Sequence, residues 1–107
     1  MLNISAGKVV RVIFLAREYG PESHHLHDYI GSLNADEQVN LVALMWVGRD
    51  SFDASEFEEA KATAMAEATA PTEDYLSGMP QLSDYLEAGL EAMGIDVTEA
   101  EDHLRDH

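Results

Sequence analysis

The sequence has no cysteine, which excludes a disulfide framework, a thiolate metal site and a thiol nucleophile. It has no phosphate-cradling glycine loop. None of its serines, at positions 5, 23, 32, 51, 55, 77 and 83, sits in a nucleophile elbow. Basic residues are scarce: six Lys+Arg stand against 21 Asp+Glu, for a formal net charge of −15. A surface of that sign repels phosphate backbones, so nucleic acid is not an expected partner. Long apolar runs are missing too. The longest, Leu41 to Val47, falls far short of the ~20 residues of a membrane helix, so no membrane association is expected. The opening "MLNISAGKVVRVIF" has no apolar stretch closed by a small-residue cleavage site, and the default expectation is a cytoplasmic protein.

What is present suffices for a core. A chain of 107 residues that is 46% hydrophobic fits one folded domain spanning 1–107. The charge is unevenly spread. Residues 1–50 hold four basic and six acidic side chains, whereas residues 51–107 hold two basic and fifteen acidic ones. Solubility is the plain reading of such a bias, and a basic protein partner is the functional one.

The punctuation is helical throughout, and no stretch alternates as a strand does. "ISAGKVVRVIFLAREYGP" opens on Ser5 as an N-cap and stops at Gly20-Pro21, with Lys8, Arg11 and Arg17 interrupting an apolar centre. "ESHHLHDYIGSL" places Leu26, Tyr29, Ile30 and Leu33 on one stripe. "NADEQVNLVALMWVG" starts with Asn34 and Glu37 as a capping box and ends at Gly48, read as a C′ glycine. Because this segment is apolar on every side, other elements must surround it, with Met45 and Trp46 in the core. "DASEFEEAKATAMAEA" repeats the start signal with Asp53 and Glu56, and sets Phe57, Ala60, Ala64, Met65 and Ala68 on one side. "TEDYLSG" is a turn or two of helix. "PQLSDYLEAGLEAMG" puts Leu82, Tyr85, Leu86, Gly89, Leu90 and Met93 inward. "TEAEDHLRDH" suggests a last, fraying helix. The expectation is an all-α, compact, bundle-like single domain of six to seven short helices, the first and third central.

Two places carry candidate chemistry. On the second helix His24, His27 and Asp28 stand at i, i+3 and i+4, opposite the apolar stripe, where two imidazoles and a carboxylate could hold a divalent metal. The alternative is an ordinary polar helix face, with no cofactor. His103 and His107 repeat the spacing near the end of the chain. In "GRDSFD" a cation, Arg49, follows a helix C-terminus beside Asp50 and Asp53. It is expected to tie this turn to the next helix's start, the alternative being an exposed anion- or partner-binding arginine. Paired carboxylates occur everywhere in so acidic a chain, so no one pair marks acid–base catalysis.

The blocks "ALMWVGRDSFDASEFEEA" and "YLSGMPQLSDYLEAGLEAMG", with the opening "LNIS", resemble a bacterial family of small proteins known as DUF3775, a domain of unknown function. The likeness covers most of the chain, and the central block is its specific part. The family brings no established activity, so no catalytic residue follows from it. The expected function is therefore a protein-interaction module, acting on itself as a homo-oligomer or on a basic protein partner. Lys8, Arg11 and Arg17 are available to dock the acidic half, within one chain or between two. The second reading is a metal-binding or metal-sensing protein using His24, His27 and Asp28. The third is an enzyme whose residues the sequence does not mark.

Overall fold

The start signals read at Ser5 and at Asn34/Glu37 are formed as hydrogen bonds, and Ser23 supplies one that the sequence reading left unmarked. Ser5 Oγ accepts from the Lys8 N–H at 3.2 Å and opens α1, Ala6–Tyr19, which ends at Gly20 with φ +91°. Ser23 Oγ accepts from the Leu26 N–H at 3.2 Å and opens α2, His24–Ser32. Asn34 Oδ1 accepts from the Glu37 N–H at 2.8 Å while Glu37 Oε1 accepts from the Asn34 N–H at 3.0 Å. This reciprocal pair opens α3, Ala35–Gly48. A 3-10 turn, Ala54–Glu56, leads into α4, Phe57–Ala66. The short α5, Thr72–Leu76, and α6, Leu82–Ala92, follow. The computed structural model describes residues 2–67 and 70–95, and among them every regular element is helical. Ala68, the segment "TEAEDHLRDH" and the His103/His107 pair lie outside the described residues.

The protein is all-α, and its described helices share one core. The middle of that core is α6, not α1: α6 packs against both α3 and α1, α3 also carries α4 and α5, and α2 joins α1 to α5. The expectation that the first and third helices form the centre is corrected by two glycines. A Cβ at Gly48 would lie 1.7 Å from the carbonyl oxygen of Tyr85, and one at Gly89 would lie 2.4 Å from that of Leu44. With no side chain at either position, the backbones of α3 and α6 touch, a closeness that α1 cannot match with valines and isoleucines.

Gly48 is thus helical and serves contact rather than termination, contrary to its reading as a C′ glycine. Arg49 caps α3, and the left-handed position is Asp50, with φ +67°. Aspartate is among the few residues other than glycine that tolerate this conformation.

Around the crossing, Leu41, Leu44, Met45, Leu82, Leu86 and Leu90 are fully buried, each contributing ~1.5–3 kcal/mol of transfer free energy. Asn40 is buried among them and satisfied at both ends. Its Nδ2 donates to the Asp36 carbonyl at 2.8 Å, and its Oδ1 accepts from the Asn3 N–H at 2.8 Å, pinning the chain before α1 to α3. Two expected core residues are corrected. Met65 is 67% exposed, because α4 turns Phe57, Ala60 and Ala64 inward and position 65 is rotated one residue past that stripe. Trp46 is only half-buried, at the edge of the region α3 shares with α4 and α5.

Candidate functional site

The amphipathic turn of α2 buries Leu26 and Ile30 and leaves its histidines outward. His27 Nε2 lies 2.7 Å from Asp74 Oδ1 on α5, and its Nδ1 lies 3.7 Å from Asp28 Oδ1. The hydrogen bond to Asp74, with smaller help from Asp28 and Glu73, raises the His27 pKa above its ordinary value despite some desolvation. His24 is drawn elsewhere: its ring stands 4.2 Å from that of His25, which in turn stands 4.3 Å from the ring of Tyr19. The structure therefore brings His27 and Asp28 together with Asp74, and places His24 in an exposed row of rings. Among the described residues no three His, Asp or Glu side chains gather as a metal cage requires.

In the turn after α3, Arg49 Nε donates to Ser51 Oγ at 3.2 Å, closing the turn on itself. Asp50 holds the left-handed corner, and the Asp53 N–H donates to Glu56 Oε1 at 2.9 Å at the entry to the 3-10 turn. Lys8, Arg17 and Arg11 have partners within the chain. Lys8 pairs with Glu37, a contact that raises the lysine and lowers the carboxylate in pKa. Arg17 reaches from α1 to α6 and forks onto Asp84 and Glu87, both at 3.1 Å. The Arg11 guanidinium lies 5.9 Å from the centre of the Tyr29 ring.

A concavity lies on the flank of α3 that faces α4 and α5, where the sequence marked no candidate site. Val39, Val42 and Trp46, at i, i+3 and i+7, form one wall. Ala64 and Glu67 from the end of α4 form the second, and Ala70, Thr72 and Tyr75 on and before α5 form the third. Trp46 Nε1 donates to Tyr75 Oη at 3.1 Å, which ties α3 to α5 across the cleft, and Phe52 stacks on Trp46 at 5.8 Å. Its volume of about 190 Å³ is below the ~300 Å³ at which pockets for drug-sized ligands begin. Sequence reasoning missed Val39, Glu67 and Tyr75 by taking α3 as uniformly surrounded. The available signal was Trp46 itself, whose indole N–H needs a partner and so favours a boundary over a core.

A family profile described as "Protein of unknown function (DUF3775)" matches residues 23–95. The chain belongs to this family. The match opens at Ser23, the N-cap of α2, and runs to the end of the described residues, so the α3–α6 crossing and the whole cleft lie in the family's portion while α1 precedes it. No curated protein matches the chain, and no solved structure does. No described helix is long and apolar enough to cross a membrane.

Proposed function

We propose that this protein is an interaction module that receives a basic segment of another protein on its acidic surface. The observation supporting this reading is the disposition of charge. Between residues 51 and 95 ten acidic side chains face a single cation, Lys61, and Asp53, Glu56, Glu58, Glu59, Glu67, Asp74, Asp84 and Glu91 are all exposed. Arg17 offsets part of this field at Asp84 and Glu87, and Lys8 pairs with Glu37, but the excess of carboxylates remains. Two copies at −15 each repel one another, which favours a cationic partner over self-association. The test is a co-purification from the native cell at low and moderate ionic strength, with the oligomeric state followed by light scattering. A stoichiometric partner of high pI, released as salt rises, is expected. A homodimer that salt leaves intact would overturn the reading.

The metal reading of His24, His27 and Asp28 now rests on His27, which stands between the carboxylates of Asp28 and Asp74. A cation there has to replace the His27–Asp74 hydrogen bond and draw His24 off its ring partner. Zinc or nickel should then raise the melting temperature, and His27→Ala should remove the rise. Identical melting with metal and with chelator retires this second reading.

A further inference from the structure

We infer that the cleft between Trp46 and Tyr75 is the anchoring point of that partner, and that it takes an arginine side chain. This rests on the proposed function, since it names the site at which the basic segment is held. The lining is mixed in a way that suits one residue type. Val39, Val42 and Ala64 offer an apolar floor for a short hydrocarbon stem, Trp46 and Tyr75 offer ring surface, and Glu67 supplies a carboxylate at the rim. Arginine carries all three complements on one side chain. Its methylenes pack on apolar surface, its planar guanidinium stacks on aromatic faces, and its charge is met by a carboxylate. No cation lines the cleft, so nothing within its described walls neutralises Glu67.

The rings are already in place. The Trp46–Tyr75 hydrogen bond fixes both across the opening, and Phe52 backs the indole, so little side-chain freedom remains to be lost on binding. Tyr75 is nonetheless 42% exposed, which leaves its ring open to a partner. Tryptophan, tyrosine and arginine are also the residues that dominate interface energetics when they meet in a desolvated pocket. A second copy of this chain is a poor occupant, because its net charge has the same sign as the rim.

Trp46 is the sole tryptophan, so its emission reports on the cleft directly. The experiment is a fluorescence titration of the full chain with hexa-arginine amide and hexa-lysine amide, repeated on Glu67→Gln, Tyr75→Ala and Glu91→Gln. Glu91 is exposed on α6, which contributes nothing to the cleft, and reports general charge loss. The expected result is a saturable change in Trp46 emission with hexa-arginine, weakened about tenfold by Glu67→Gln and by Tyr75→Ala and less than about twofold by Glu91→Gln. Hexa-lysine should bind more weakly and disturb Trp46 less. Equal weakening by Glu67→Gln and Glu91→Gln would mean diffuse attraction, overturning the cleft while leaving the basic-partner reading intact. Equal affinity for both peptides with the same emission change would overturn the choice of arginine. Binding of neither peptide would overturn the cleft and the proposed function together.

Discussion

The two flanks of α3 are held by different means. On one, α3 meets α6 backbone to backbone through Gly48 and Gly89, over fully buried leucines. On the other, the five residues of α5 are held by one buried side chain, Leu76, and by polar tips: Tyr75 on Trp46, and Asp74 on His27. Contacts of the first kind cannot be loosened without moving a helix, whereas contacts of the second kind can be exchanged one at a time with water or a ligand. The candidate cleft lies on this second flank, where α4 adds apolar packing through Phe57, Ala60 and Ala64.

The largest effect is expected from adding one carbon at the crossing. Gly48→Ala places a methyl 1.7 Å from the Tyr85 carbonyl, and relief requires α6 to move as a body. The helix propensity of alanine would favour the change by ~1 kcal/mol, but overpacking against backbone outweighs it. A loss of about 3 kcal/mol or more in equilibrium unfolding is expected, or failure to fold. A neutral or stabilised variant would show that the helices are not in backbone contact.

Removing mass from the same place should cost nearly as much. Leu44→Ala empties a fully buried position whose own carbonyl faces Gly89, and the expected loss is about 2–5 kcal/mol. Denaturant titration followed by Trp46 emission measures it. A loss under about 0.5 kcal/mol, the range of surface substitutions, would mean that the crossing is not where the stability resides.

The difference between the flanks also decides what was legible in the sequence. Helix starts were readable because each is a local code: Ser5 and the Asn34/Glu37 pair act within three residues of themselves, and so does Ser23, which the sequence reading left unmarked. The inward stripe of α6 was readable from its period, and so was the all-α class. The role of Gly48 was not. A glycine at the end of an apolar helix looks the same whether it terminates the helix or admits another, and only the position of α6 decides between them. The cleft was hidden for the same reason. Val39, Glu67 and Tyr75 are far apart in sequence and bring no common motif, and their meeting depends on the placement of α5. His27 and Asp28 were singled out by spacing within one helix, but the residue that meets His27, Asp74, is 47 positions away from it.

Charge offers a broader but smaller lever. The exposed acids of residues 51–95 outnumber the cations available to them, and the two ion pairs of Arg17 are exposed enough to be worth little each. Repulsion among the acids is stronger in the folded chain than in the expanded one, and salt screens it over ~10 Å at 0.1 M. Raising sodium chloride from low to moderate concentration should therefore raise the melting temperature. A fall would mean that Lys8–Glu37 and the Arg17 fork outweigh the crowd of carboxylates, and would remove the support for an acidic surface kept for a basic partner.

The smallest expected effect belongs to the single contact between α2 and α5 that titrates near neutrality. Asp74 holds the His27 pKa above its ordinary value near 6.5, so the folded state binds the proton more tightly than the unfolded one does. The stabilisation this gives is fully present below about pH 6.5 and is lost as the pH rises through the raised folded-state value. The whole chain's stability will also vary with pH through its many carboxylates, so the informative quantity is a difference. Melting temperatures of the native chain and of His27→Ala, compared from pH 5.5 to pH 8.5, should diverge most at the acid end and converge at the alkaline end. His27 is 41% exposed and Asp74 57%, which keeps the gap modest and makes it shrink further in salt. A gap that stays constant across this range would mean that the His27–Asp74 contact is equally strong with the imidazole neutral and donating its single N–H. A gap that widens toward alkaline pH would mean that the folded chain holds His27 neutral.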